Sequence, residues 1–303
     1  MKPRAVALLS WMLHRPWLML AILLLITAAA VVALGRLEIN STPYMIDKNH
    51  PSRMADADKK RLFSNTGEQA FVALENPQGN IFNPGSLQRV AEHATHGIGP
   101  HQLLWMPDGE TLVVANGGIR TEADSREMMN LDAMEPSLVL LRRDGSLVSK
   151  EQLPEQMNSV RHLAVAADGT IVSGQQYEGD AMDRIPLLAI KRPGQPFQHF
   201  PLGEAQRQSM NQYTASLAIH DELRLLAVTA PRGNKVFFWD LDSAELRQET
   251  HLPDCAGVAA VTEGFVVSSG QGRCRLFDCR GERFTSTPLQ MPAGLWDNHL
   301  RIV

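Results

Sequence analysis

Nine residues stand out as able to do chemistry: His101, Asn116, Asn130, Asp132, Arg161, His162, Trp296, Asp297 and His299. Imidazoles gathered beside a carboxylate can hold a transition metal, and histidine is the general base best matched to neutral pH. His101, His162 and His299 are therefore the possible metal ligands, with the other six as their polar company. The same residues have a plainer use, since histidine and aspartate beside strand ends commonly tie neighbouring strands by hydrogen bonds. Nothing in the chain narrows the chemistry further. There is no G-x-S-x-G, no H-E-x-x-H and no calcium loop. Gly117-Gly118 is followed by neither a helix nor a Lys-Ser/Thr pair, so it reads as a turn rather than a phosphate cradle. Met128, Met129 and Met134 sit in one loop and offer thioethers to a copper ion. No cofactor is evident.

Whatever these residues do, strands must position them. His101–Asn116 (HQLLWMPDGETLVVAN) reads as strand, Asp-Gly turn, strand. The shape recurs at Arg161–Gln175, Ala215–Val228 and Ala256–Ser269, a spacing of tens of residues that marks a propeller or array. Asp-Gly between apolar runs predicts tight hairpins in which both turn residues take positive φ. Each hairpin is followed by two more strand candidates. In the first unit these are Pro136–Arg142 and Leu147–Lys150, and in the second Pro186–Lys191 and Phe197–Pro201. The third has Lys235–Asp240 and Glu245–Thr250, and the fourth Arg273–Asp278 and Arg283–Thr287. Four strands per unit, with the apolar pair innermost, is the blade pattern. The expected fold is mainly β: a partial propeller of about four four-stranded blades over 94–303, preceded by one transmembrane helix and a small α/β fragment. A β-sandwich is the alternative, and four regular modules argue against it. No long amphipathic helix is expected after His93.

The N-terminal third differs in character. Trp17–Leu34 is 18 residues with only Thr27 polar, enough to cross a hydrocarbon core. Lys2, Arg4 and Arg15 before it outnumber Arg36 after it, which predicts a cytoplasmic tail over 1–16, a helix over 17–35, and everything beyond on the outer side. Such a chain would lie in a bacterial inner membrane with its C-terminal domain in the periplasm. A cleaved signal peptide is the alternative, with Ala28–Ala33 imitating a cleavage site. Residues 36–93 form a polar, mixed segment with a strand candidate at Gln69–Leu74. A net charge of −4 and scattered basic residues argue against nucleic acid as partner. Cys255, Cys274 and Cys279 are not spaced as a metal or redox motif; they read as small buried apolar residues, with one disulfide open to an exported chain.

Two resemblances add to this reading. A basic tail carrying R-P-W, the apolar helix, the stretch Leu62–Glu68, a V-A-L strand and I-F-N-P-x-x-L make residues 1–92 resemble the N-terminal end of RND/MMPL-type exporters. Such exporters need about a dozen membrane helices, and their proton-relay carboxylates lie on later ones, so no transport residue carries over. From Gly97 onward the match is denser: G-I-G-P-H-x-L-L-x-M-P-D-G through Ile119, N-L-D-x-M-x-P-S-L (Asn130–Leu138), S-V-R-H-L-A-V (Ser159–Val165), P-R-G before V-F-F-W-D, and L-W-D-N-H (Leu295–His299). These resemble the C-terminal blades of a bacterial propeller family, domain of unknown function 1513. That resemblance implies a seven-bladed ring of which four blades are countable here, with open edges that a protein partner could pair with.

The combined expectation is a membrane-anchored, outward-facing propeller that binds a ligand or protein. A propeller enzyme, a metal-dependent hydrolase or dehydrogenase-like, using a channel-mouth His cluster is the second reading. A transport-inactive exporter remnant is the third. No sequence feature makes the chain an enzyme.

Overall fold

The computed structural model describes residues 93–121, 127–180 and 182–290, together with Trp17, Thr27 and Leu300. The tail, membrane-helix and exporter-like assignments, and the strand candidate at Gln69–Leu74, lie outside the described residues but for Trp17 and Thr27, which are helical. Trp296, Asp297 and His299 also lie outside them. Among the described residues no helix is long and apolar enough to cross a membrane. The described strands all belong to one compact unit, residues 64–303.

Among the described residues sixteen strands fold into four separate four-stranded antiparallel sheets, each a meander in chain order. Blade 1 is β1 (Pro100–Trp105), β2 (Thr111–Asn116), β3 (Ser137–Arg142) and β4 (Leu147–Glu151). Blade 2 is β5 (Asn158–Val165), β6 (Ile171–Tyr177), β7 (Leu188–Lys191) and β8 (Gln198–His199). Blade 3 is β9 (Ser216–His220), β10 (Leu225–Ala230), β11 (Lys235–Asp240) and β12 (Leu246–His251). Blade 4 is β13 (Cys255–Val261), β14 (Gly264–Ser269), β15 (Cys274–Asp278) and β16 (Thr285–Pro288). The first strands of successive blades lie side by side, β1 against β5, β5 against β9 and β9 against β13, and so form the inner wall of a propeller. Four sheets packed in series exclude the two-sheet sandwich.

The cores lie between blades, which explains why the middle strands are apolar on both faces. In β11, K-V-F-F-W-D, the period-2 alternation sends Phe237 and Trp239 towards blade 2, where they meet Phe200, Leu188 and Met210. Val236 and Phe238 point the other way, towards Phe265, Phe277 and Phe284 of blade 4. The Phe238 ring has those three rings at 5.7, 5.1 and 5.5 Å, a packed aromatic cluster. Between blades 1 and 2, Val113 and Leu138 pack with Val160, Leu163 and Ile171. Polar side chains stitch the same seams. Gln102 accepts the Leu163 N–H at 3.0 Å, the Thr214 hydroxyl donates to the Gln175 carbonyl at 3.0 Å, and the Thr229 hydroxyl donates to the Ala256 carbonyl at 2.6 Å.

Three details depart from the sequence expectation. In the Asp-Gly hairpins only the glycines, Gly109, Gly145 and Gly169, have positive φ. Each aspartate stays on the right-handed side because its carboxylate is engaged: Asp108 accepts the Glu110 and Thr111 N–H groups, both at 2.9 Å, and Gly109 alone takes the left-handed position. Those hydrogen bonds hold the Asp108 carboxyl below its ordinary pKa. Strand β6 runs on to Tyr177, past the hairpin end expected at Gln175, since Asn158, Ser159 and Val160 extend β5 alongside it. A short helix, α1 (Glu204–Ser209), joins blades 2 and 3; its mixed polar sequence carries no apolar stripe to announce it.

Candidate functional site

The segments flanking β1 and β2 are zipped to each other before any site is formed. The Gly117 N–H donates to the Gly99 carbonyl and the Gly118 N–H to the Ile98 carbonyl, each at 2.8 Å. Gly118 has φ +75°, and a Cβ there would come within 2.3 Å of the Pro136 nitrogen. The dense run G-I-G-P-H…N-G-G-I is thus a clasp whose close backbone approach only glycine permits. It fixes where β1 begins.

Next to that clasp the inner strands bulge. The β1–β2 register slips between Pro100 and Gln102, leaving His101 as the extra residue. The β5–β6 register slips between Val160 and His162, leaving Arg161 in the equivalent place. Bulges re-aim side chains, and both residues turn into one cavity of about 710 Å³ at the end of the blades where β1 and β5 start and β2, β6 and β10 finish. Its wall also includes Ser159 and His162 from β5, Gln176 and Glu178 at the end of β6, and Tyr213 before β9. Arg232 comes from the 3-10 turn Pro231–Gly233 after β10. Three blades build it.

The charges inside are arranged unevenly. Arg161 donates to Glu178 at 3.1 Å and to the Ser159 hydroxyl at 3.2 Å, with side chains only 22% and 11% exposed for the ion pair. Burial pulls the Arg161 guanidinium below its ordinary pKa against the attraction of Glu178 and Tyr213, and the neighbouring Arg232 pushes it the same way as burial does. Arg232 is exposed and lies over the Tyr213 ring at 5.0 Å, a cation–π contact. The His101 and His162 rings meet edge to face, 4.7 Å between centroids and 79° apart. His162 is 3% exposed, whereas His101 is open to solvent.

Of the nine residues singled out from the sequence, the structure brings three into this cavity: His101, Arg161 and His162. The two histidines are not at equivalent blade positions, because the bulge shifts the register by one; Arg161 is the counterpart of His101, and Gln102 of His162. Asn116 is elsewhere, fully buried, donating to the Thr95 carbonyl at 3.3 Å and to the Ser137 hydroxyl at 3.4 Å. Asn130 pins the following loop: it accepts the Arg120 N–H at 2.7 Å and donates to the Gly118 and Ala133 carbonyls. Asp132 is exposed on the 3-10 turn Leu131–Ala133 and does not line the cavity. Among the described residues no three His, Cys, Asp or Glu side chains are placed to hold a metal; His299, the third imidazole of that expectation, lies outside them. Met128 reaches the cavity wall and Met129 does not. The three cysteines are buried free thiols, and burial pushes Cys255 and Cys279 up to about 12.

Sequence reasoning missed Glu178, Tyr213 and Arg232. The signal was the equivalence of Gly117–Ile119, Gln176–Glu178 and Pro231–Gly233, the segments that close the second strand of each blade on the cavity side.

The family model for proteins of unknown function, DUF1513, matches residues 63–303. The chain belongs to this family. Its span begins well ahead of Gly97, so it takes in the second half of the 36–93 segment expected to be exporter-like. The structure of U3-55K is similar at 16% identity and a TM-score of 0.48, covering 67% of this chain and 55% of that one. The crystal structure of RRP9 WD40 repeats is similar at 16% identity and a TM-score of 0.49, covering 67% and 54% respectively. The chain thus spans about half the length of those two structures. No curated protein matches it.

Proposed function

We propose that this DUF1513 propeller is a binding module whose ligand sits in the cavity at the blade ends. The observation that carries the reading is the pair of bulges that turn His101 and Arg161, at equivalent positions of two blades, into one polar hollow walled by a third. A volume of about 710 Å³ falls in the range of small-molecule pockets. The apolar run Trp17–Leu34 supports a membrane anchor, and the basic residues before it support display on the outer side of that membrane.

The test uses the full chain and a ligand panel of neutral, cationic and anionic small molecules, read as a rise in melting temperature. Thr121 is exposed at the cavity wall, so Thr121→Trp fills the hollow without disturbing a core. Ligands that stabilise the native chain are expected to lose that effect in Thr121→Trp. Stabilisation that survives the substitution undiminished would move the site elsewhere and end this reading.

A further inference from the structure

We propose that the cavity selects a small oxyanion, a carboxylate or a phosphate, held between the guanidinium groups of Arg161 and Arg232. This rests on the cavity being the binding site, as argued above. The chain as a whole is negative, at −4, yet among the described residues the fixed charges on the cavity wall are two arginines against one glutamate. The hollow is therefore a local positive site on an acidic protein, the arrangement that concentrates an anionic ligand.

The two cations differ in how they are held. Arg161 is anchored from behind by Glu178 and Ser159, which fix its orientation. Arg232 lies on the Tyr213 ring and makes no ion pair among the described residues. One guanidinium is preorganised and the other is available, and each presents a planar fork of donors that matches carboxylate or phosphate oxygens. Their mutual repulsion is felt, since Arg232 lowers the affinity of Arg161 for its proton. An anion between them relieves that repulsion, whereas a neutral or cationic ligand does not. Exposed His101 on the neighbouring bulge of β1 supplies a further imidazole to the cavity wall.

Titration calorimetry of the full chain tests the assignment with succinate and citrate in one arm, inorganic phosphate in a second, and choline and glucose as cationic and neutral controls. We expect binding in at least one oxyanion arm and none in the controls, weakening as salt rises from about 0.02 to about 0.2 M. Binding confined to one arm identifies the source as carboxylate or phosphate. Arg232→Gln should weaken that binding by roughly tenfold or more, and Arg232→Lys by less, because the charge stays while the fork is lost. Arg232 is exposed, so both variants keep the fold. No binding in either oxyanion arm, or equal affinity in wild type and Arg232→Gln, overturns the proposal. Controls that bind and are lost in Thr121→Trp would leave the cavity as the site and remove only its anionic preference.

Discussion

Replacing Glu178 with glutamine separates the two roles that the cavity asks of Arg161. The change keeps the shape of residue 178 and leaves an oxygen for Arg161 to donate to, but it removes the negative charge 3.1 Å away. Deleting one partner of a fully buried ion pair costs about 3–5 kcal/mol, and of an exposed pair about 0–1 kcal/mol. With the side chains 22% and 11% exposed, the expected loss lies between, at about 2 kcal/mol. That corresponds to a fall in melting temperature of roughly 4–8 °C. The effect on anion binding has the opposite sign. One unit of charge removed ~6–8 Å from a bound anion, at an effective dielectric constant of ~20–40, is worth about 1–3 kcal/mol. Oxyanion affinity should therefore rise by about fivefold or more while stability falls. Thermal unfolding and calorimetry on the same preparation measure both. An affinity that falls along with stability would refute the reasoning, because it would make Glu178 part of the ligand's own contact set.

Three further outcomes follow from the fold. Gly118→Ala places a Cβ against the Pro136 backbone at a residue with φ +75°, so a loss of about 3 kcal/mol or more is expected in denaturant unfolding; a loss under ~1 kcal/mol would show that the clasp yields easily. Phe238→Ala empties the centre of a ring cluster and should cost about 3–5 kcal/mol, with a smaller cost expected if neighbouring rings collapse into the space. The buried thiols of Cys255 and Cys279, pushed up to about 12, lose their protons in the unfolded chain before the folded one. Their contribution is complete below the ordinary thiol pKa of ~8.5 and is lost as pH rises from there to about 12. Native-state thiol labelling at pH ~8 should accordingly be slow and become fast only on unfolding; rapid labelling of the folded chain would contradict the burial.

How far the sequence disclosed this architecture depends on what each residue answers to. The blades were legible because β11 has to be apolar on both faces to fill two inter-blade cores, and K-V-F-F-W-D carries that demand on its surface. The hairpin turns were legible from Asp-Gly, though not the conformation of the aspartate, which depends on the N–H groups its carboxylate finds two and three residues on. Helix α1 left no periodic trace because none of its residues is buried. The site was half legible. His101, Arg161 and His162 follow from strand beginnings, but a one-residue bulge decides which of them are equivalent, and no local pattern in P-H-Q or V-R-H states it. Asn116 and Asn130 have the right chemistry for a site, but the Asn116 amide donates to the Thr95 carbonyl and the Ser137 hydroxyl and the Asn130 side chain is taken up by the Arg120 N–H and the Gly118 carbonyl. Arg232, Tyr213 and Glu178 come from three separate segments that only the stacking of blades brings together.

The most direct measurement is a crystal structure of the full chain grown with the tightest-binding oxyanion of the calorimetric panel. The account predicts the anion in the cavity, its oxygens within hydrogen-bond distance of Arg232 and of Arg161, with the Arg161–Glu178 pair retained behind it. An empty cavity at saturating ligand, or an anion bound on another face of the propeller, would contradict the claim that the bulged strand ends of blades 1 and 2 build this protein's binding site.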